Sequence, residues 1–222
     1  GHGRVPCWGV STYIDTILLQ IVEQYIANVA PSLVCLSVPF PGNLYTSLRC
    51  GQYIKNKYPS IKVAMGGGFA NTELRSLSDP RVFEFYDFIT LDDGEAPIEQ
   101  LLKYINNEIG TPQLKRTFLL QDGIVTYINN SSCKDYKQTE VGTPDYSDLL
   151  LHDYISVIEV VNPMHSLWSD GRWNKLTMAH GCYWGKCTFC DISLDYIKLY
   201  EPGGNSSVAW KIPPALQKQN LE

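Results

Sequence analysis

No run of lysine or arginine occurs anywhere in the 222 residues, and acidic side chains outnumber basic ones, 23 to 18, for a net charge of −5. A protein that grips a phosphate backbone does so with a basic patch or stripe, so no nucleic-acid partner is expected. No apolar run approaches the ~20 residues that cross a bilayer, and no membrane partner is expected. The first ten residues lack the basic and apolar regions of a secretory signal, which makes the cytoplasm the expected location. There is no internal repeat. No Lys-Ser or Lys-Thr follows the triplet Gly66-Gly67-Gly68, which excludes the usual nucleoside triphosphate loop.

What is present is an ordinary globular composition, 44% hydrophobic, enough for one large domain or two modest ones. Seven cysteines stand at positions 7, 35, 50, 133, 182, 187 and 190. The count is odd and the last three fall within nine residues, a spacing that reads as a metal site rather than a disulfide framework. Cys35 lies in the apolar run Leu33-Val34-Cys35-Leu36, and Cys50 in an amphipathic stretch, so both are expected to be small buried hydrophobes. Cys7 and Cys133 carry no signal. The segment from His180 to Asp191 holds Cys182, Cys187 and Cys190 in a C-x4-C-x2-C pattern. Thiolates are soft ligands that suit iron–sulfur clusters or zinc. Three of them leave one iron of a four-iron cluster, or one position on zinc, open to another group.

Apolar residues at helical spacing (Ile14, Ile17, Leu18, Ile21, Val22, Tyr25, Ile26) predict a helix over 12–28, capped by Ser11 or Thr12 and ended by Pro31. Strands are expected at Leu33–Val38, Ile61–Met65 and Phe88–Leu91. Helices are expected at 44–57, 72–77 and 97–106. Short apolar strands alternating with helices predict an α/β fold, a Rossmann-like parallel sheet with flanking helices. Near residue 110 the pattern changes. Leu114–Leu120 and Ile124–Ile128 flank Asp122-Gly123, a hairpin signal. A polar, Pro-containing stretch follows to residue 150 and reads as a linker. A second unit starts near Tyr154, with a strand at Lys175–Ala179 that delivers the chain into the cysteine loop. In a parallel sheet, ligands bind beyond the carboxyl ends of the strands. Three loops fall there: Ser37–Asn43, Gly66–Ala70 and Asp92–Glu95. Glycine lets a backbone approach a flat ligand closely, and it also makes tight turns with no ligand at all.

Taken together, these features resemble the radical S-adenosylmethionine (SAM) enzymes that carry an N-terminal cobalamin-binding domain. Cys182, Cys187 and Cys190 are similar to that superfamily's cluster loop, commonly C-x3-C-x2-C, and Phe189 matches the aromatic residue before the last cysteine. The first gap here is one residue longer. The N-terminal half is similar to the cobalamin-binding domain, which often carries Ser-x-Leu ahead of a Gly-Gly pair. Here Ser37-Val38-Pro39 is followed after 26 residues by Gly66-Gly67, with proline in leucine's place. Asp93-Gly94-Glu95 resembles the acidic loop after the next strand. The Asp-x-His-x-x-Gly motif, whose histidine ligates cobalt in many corrinoid proteins, is absent from a chain whose histidines are His2, His152, His165 and His180.

The resemblance implies a cobalamin-binding-like domain at 1–110, a hairpin and linker at 111–150, and at 151–222 the beginning of a radical SAM partial β/α barrel. Such a barrel runs to the order of 200 residues, and 32 residues follow Cys190. A fragment of a longer enzyme is therefore expected, inactive by itself. The implied cofactors are a [4Fe–4S] cluster on the three cysteines, SAM on the open iron, and cobalamin over Ser37, Gly66, Gly67, Gly94 and Glu95. Phe189 would pack near the adenine, while Tyr183 and Trp184 would shield the cluster. The implied reaction is reductive cleavage of SAM to a 5′-deoxyadenosyl radical, in the service of cobalamin-dependent methyl transfer or related radical chemistry. A reductant such as flavodoxin or ferredoxin is the implied partner, and the substrate is unknown. Two other readings stay open: a structural zinc site in which His180 completes a Cys3His set, and a non-catalytic corrinoid- or partner-binding module.

Overall fold

The computed structural model describes residues 12–142, 179–191 and 193–202. The chain divides into two compact units, Gly1–Asp135 and Tyr136–Glu222.

The first unit is built on helix α1, Tyr13–Val29. Thr12 caps it: its Oγ1 accepts the Asp15 N–H at 3.2 Å, and the Asp15 carboxylate accepts the Thr12 N–H at 2.9 Å. This reciprocal box satisfies two donors that a helix start otherwise leaves open. Strand β1 (Leu33–Ser37), helix α2 (Leu44–Lys57), strand β2 (Lys62–Gly66), helix α3 (Gly68–Glu73), strand β3 (Phe88–Thr90) and helix α4 (Glu95–Ile105) follow. Strands β4 (Thr117–Gln121) and β5 (Ile124–Ile128) complete a five-stranded sheet in the order β1-β2-β3-β4-β5.

The sheet is mixed. β1, β2 and β3 run parallel, from Leu33 opposite Lys62 to Ser37 opposite Gly66 in the first pair. β4 then runs antiparallel to β3, with Ile89 opposite Phe118, and returns through the hairpin to β5. The hairpin expected within 111–150 thus extends the parallel strands into a mixed sheet. Its first strand satisfies the edge of β3 that a purely parallel sheet would leave open. The turn is the one Asp122-Gly123 predicts, with φ of 50° and 79°.

Alternation along the strands sorts the core onto two faces. Val34, Leu36, Val63, Met65, Ile89 and Phe118 pack against Val22 and Ile26 of α1 and Leu48 and Ile54 of α2. On the other face Ala64, Phe88 and Leu119 meet Leu101 of α4, with Leu33, Tyr104 and Ile105 alongside. Fully burying one such Ile, Leu or Met contributes about 1.5–3 kcal/mol. Tyr86 is fully buried and donates to Ser47 Oγ at 2.9 Å.

Three expectations are corrected. Cys50 is buried, but Cys35 is exposed. By alternation it shares a face with Leu33, on β1, an edge strand among the described residues. The helix expected at 72–77 lies at Gly68–Glu73 instead, starting inside the glycine triplet. The helix expected from Pro97 begins at Glu95, which uses Pro97 in its first turn, where proline's missing N–H costs nothing.

In the second unit, strand β6 (Ala179–His180) pairs antiparallel with strand β7 (Glu201–Pro202). The cysteine loop and a four-residue helical turn, α5 (Asp195–Lys198), lie between them. The expected start near Tyr154, and all of the expected strand at Lys175–Ala179 except its last residue, lie outside the described residues. Among the described residues no helix is long and apolar enough to cross a membrane.

Candidate functional site

Two groups of residues carry the chemistry singled out in the sequence, one in each unit.

In the first unit the loops after β1, β2 and β3 stand at one end of the sheet, as parallel strands require. The Val38 N–H donates to the Gly66 carbonyl at 2.8 Å, and the Phe69 N–H donates to the Val38 carbonyl at 2.9 Å, which ties the first loop to the second. Gly67, with φ 99° and ψ −176°, occupies a region that side chains rarely adopt. A Cβ there would stand 2.9 Å from the Val38 oxygen and 3.1 Å from Ser37 Oγ. At Gly66 it would meet Thr90 Oγ1 at 2.9 Å, and at Gly68 the Pro39 oxygen at 2.7 Å. Protein fills the space left by all three glycines. Their immediate role is to let the loops close on each other, and the result is a low platform rather than an open cradle. Ser37 and Phe40 are exposed on it.

The third loop is fastened to the second. The Asp92 N–H donates to Asn71 Oδ1 at 2.6 Å, and the Asp92 carboxylate pairs with Arg75. Arg116, 8% exposed, reaches the Leu91 carbonyl at 3.2 Å, the Asp93 carbonyl at 2.8 Å and the Asp92 carboxylate at 3.8 Å. Asp135 pairs with Arg116 as well. Asp92 is thus neutralised within the fold. Gly94 is half-buried at the head of α4 and Glu95 is exposed in its first turn. Sequence reasoning did not single out Asn71, Arg75 or Arg116. The one local signal is the charged pair Lys115-Arg116 within an otherwise apolar stretch.

In the second unit the cysteine loop is held at its base. The Cys182 N–H donates to the Ile197 carbonyl at 2.9 Å. Gly181, φ 75°, lies so close to the Leu199 carbonyl that no side chain fits. Tyr183 stacks edge-on against Tyr200 with ring centroids 5.8 Å apart, and Lys186 Nζ stands 5.5 Å from the centre of the Trp184 ring. The Gly185 N–H donates to Cys182 Sγ at 3.4 Å. Cys182 and Cys187 are partly exposed and Cys190 is exposed. Phe189 is 87% exposed, so a large aromatic face stands in solvent beside the last cysteine.

Among the described residues no three His, Cys, Asp or Glu side chains stand together as a site for a single metal ion. A Cys3His zinc site asks for four donors around one point at about 2.0–2.3 Å, and His180 with the three cysteines does not form one. A four-iron cluster asks for less convergence, because each thiolate binds a different iron. The donor set of three thiolates on one short loop, with soft ligands and partial exposure, fits that group.

No protein-family model matches the sequence, and no curated protein matches it. Solved structures do. The cobalamin-dependent S-adenosylmethionine radical enzyme OxsB with aqua-cobalamin and S-adenosylmethionine bound superposes with a TM-score of 0.62. The aqua-cobalamin form gives 0.61 and the apo form 0.56. In each case identity is 17%, and the match covers 86% of this chain and 24% of the other. The likeness is one of fold, and this chain spans about a quarter of that enzyme's length.

Proposed function

We propose that this chain is part of a cobalamin-dependent radical SAM enzyme, with Cys182, Cys187 and Cys190 as the ligands of a [4Fe–4S] cluster. The observation that carries the reading is a C-x4-C-x2-C loop within a chain whose fold is shared with an enzyme of that chemistry. When bound, the cluster supplies the electron that cleaves SAM into methionine and a 5′-deoxyadenosyl radical, which takes a hydrogen atom from the substrate.

The chain's own residues hold and screen the site. Cys182, Cys187 and Cys190 would hold the cluster through their thiolates and leave one iron for SAM. Tyr183 and Trp184, both exposed on the loop, would screen the cluster from water once covered. Phe189 offers a ring face to the adenine, which stacks on aromatics favourably. In the first unit the platform of Ser37, Gly66, Gly67, Gly94 and Glu95 suits a flat corrinoid, approached by backbone and short side chains. With no Asp-x-His-x-x-Gly motif, these residues offer no histidine ligand from that motif. A flavodoxin- or ferredoxin-type protein is the proposed electron donor, the cytoplasm the proposed location, and methyl transfer or related radical chemistry the proposed work of the longer enzyme.

Anaerobic reconstitution with iron and sulfide tests the reading. The expected result is four irons per chain, a cluster EPR signal on reduction, and a change in that signal when SAM is added. Cys187→Ser is expected to abolish the signal. Stoichiometric zinc with no iron uptake would sink it. Hydroxocobalamin should bind saturably, and a linear, unsaturable titration would remove cobalamin from the proposal.

A further inference from the structure

The first cysteine gap, Tyr183 to Gly185 with Lys186, is one residue longer than the commonest spacing, and the structure shows what the turn does with it. Gly185 sits at φ 58°, in the left-handed region that glycine enters at no steric cost. Its N–H, ahead of that turn, points back at Cys182 Sγ, 3.4 Å away, and the left-handed turn then carries the chain on toward Cys187. The backbone that carries the accepting sulfur is fixed, because the Cys182 N–H is held by the Ile197 carbonyl and Gly181 is pressed against Leu199.

We propose that the Gly185 N–H is a tuning donor to the Cys182 sulfur that raises the reduction potential of the cluster. This rests on the cluster reading above. Reduction adds one electron to the cluster, and part of that charge resides on the thiolate sulfurs. A fixed N–H dipole aimed at one sulfur stabilises the reduced form more than the oxidised form. Gly185 acts through Cys182 and is thus a positioning residue.

The test is a mediated dithionite titration, followed by EPR, of the full chain and three variants reconstituted in parallel. Gly185→Asn tolerates the left-handed conformation and keeps the N–H; it should match the parent chain in potential. Gly185→Val, whose β-branched side chain resists positive φ, and deletion of Gly185 should titrate at a more negative potential with iron and sulfide content unchanged. Equal potentials in all four loaded chains would overturn the inference and leave the cluster reading intact. If no chain takes up iron, the cluster reading fails and the inference falls with it. Should the valine and deletion variants not load, the amide itself decides. In the iron-free chain labelled with 15N, the Gly185 N–H should exchange slowly, and exchange at the rate of a free amide would overturn the inference.

Discussion

Replacing Gly67 with alanine separates a glycine that serves the fold from one that serves a ligand. Two costs add at this position. The backbone, at φ 99° and ψ −176°, lies where a side-chain-bearing residue is strained by about 1–3 kcal/mol. The new Cβ would also stand 2.9 Å from the Val38 oxygen and 3.0 Å from the Val38 nitrogen, both backbone atoms that cannot swing aside. Such overpacking costs about 1–3 kcal/mol. The expected loss is about 2–6 kcal/mol, against a total of about 5–15 kcal/mol for an ordinary domain. With a urea slope of about 2 kcal/mol per molar, the midpoint should fall by about 1–3 M with the slope unchanged. Gly42→Ala is the control, because nothing lies within 4 Å of a Cβ there. It should be neutral, or stabilise by about 0.4–1 kcal/mol. Urea unfolding of the two variants beside the parent, followed by circular dichroism, reads both. A Gly67→Ala chain that unfolds with its parent would refute the packing argument. Loss of corrinoid binding without loss of stability would then mean that Gly67 serves the ligand rather than the loop packing.

Arg116→Met should destabilise by about 1–3 kcal/mol, since it removes the donor to the Leu91 and Asp93 carbonyls while Asp92 keeps its pairing with Arg75; an unchanged midpoint in chemical denaturation would contradict this. Burial pushes the Tyr86 hydroxyl from its usual value near 10 up to about 12. The folded state therefore holds that proton more tightly than the unfolded chain does. Stability from this group is complete below pH 10 and declines as pH rises toward 12. Tyr86→Phe should flatten that part of the alkaline stability profile, and an unchanged alkaline slope would count against it.

Much of the first unit can be read locally. α2 matches its expected span, Leu44–Lys57, because an apolar stripe is bounded by Pro41 at the start and lysines at the end. The hairpin is equally legible from Asp122-Gly123, but its docking onto β3 is not, since the partner strand lies some thirty residues earlier. α3 is displaced because a glycine triplet reads as a loop, while the contacts that let a helix start there come from Val38 and Pro39. Cys35 follows its neighbours in composition but not in burial, because it lies on an edge strand, on the opposite face from Val34 and Leu36. The cysteine loop is the most legible part of the candidate site, since its chemistry lies in spacing alone. Arg75 and Arg116 are the least legible, because each acts on the Asp92 loop from far along the chain.

The bonds that join the three loops at the end of the sheet bear on heat as well as shape. Val38 to Phe69, Asn71 to Asp92, and Arg116 to Leu91 and Asp93 hold these loops through the fold's own donors and acceptors. A molecule landing there finds segments whose conformational entropy has already been surrendered during folding. Calorimetry of binding at this end should therefore lack the large unfavourable entropy, and the matching favourable enthalpy, that accompany coupled loop ordering.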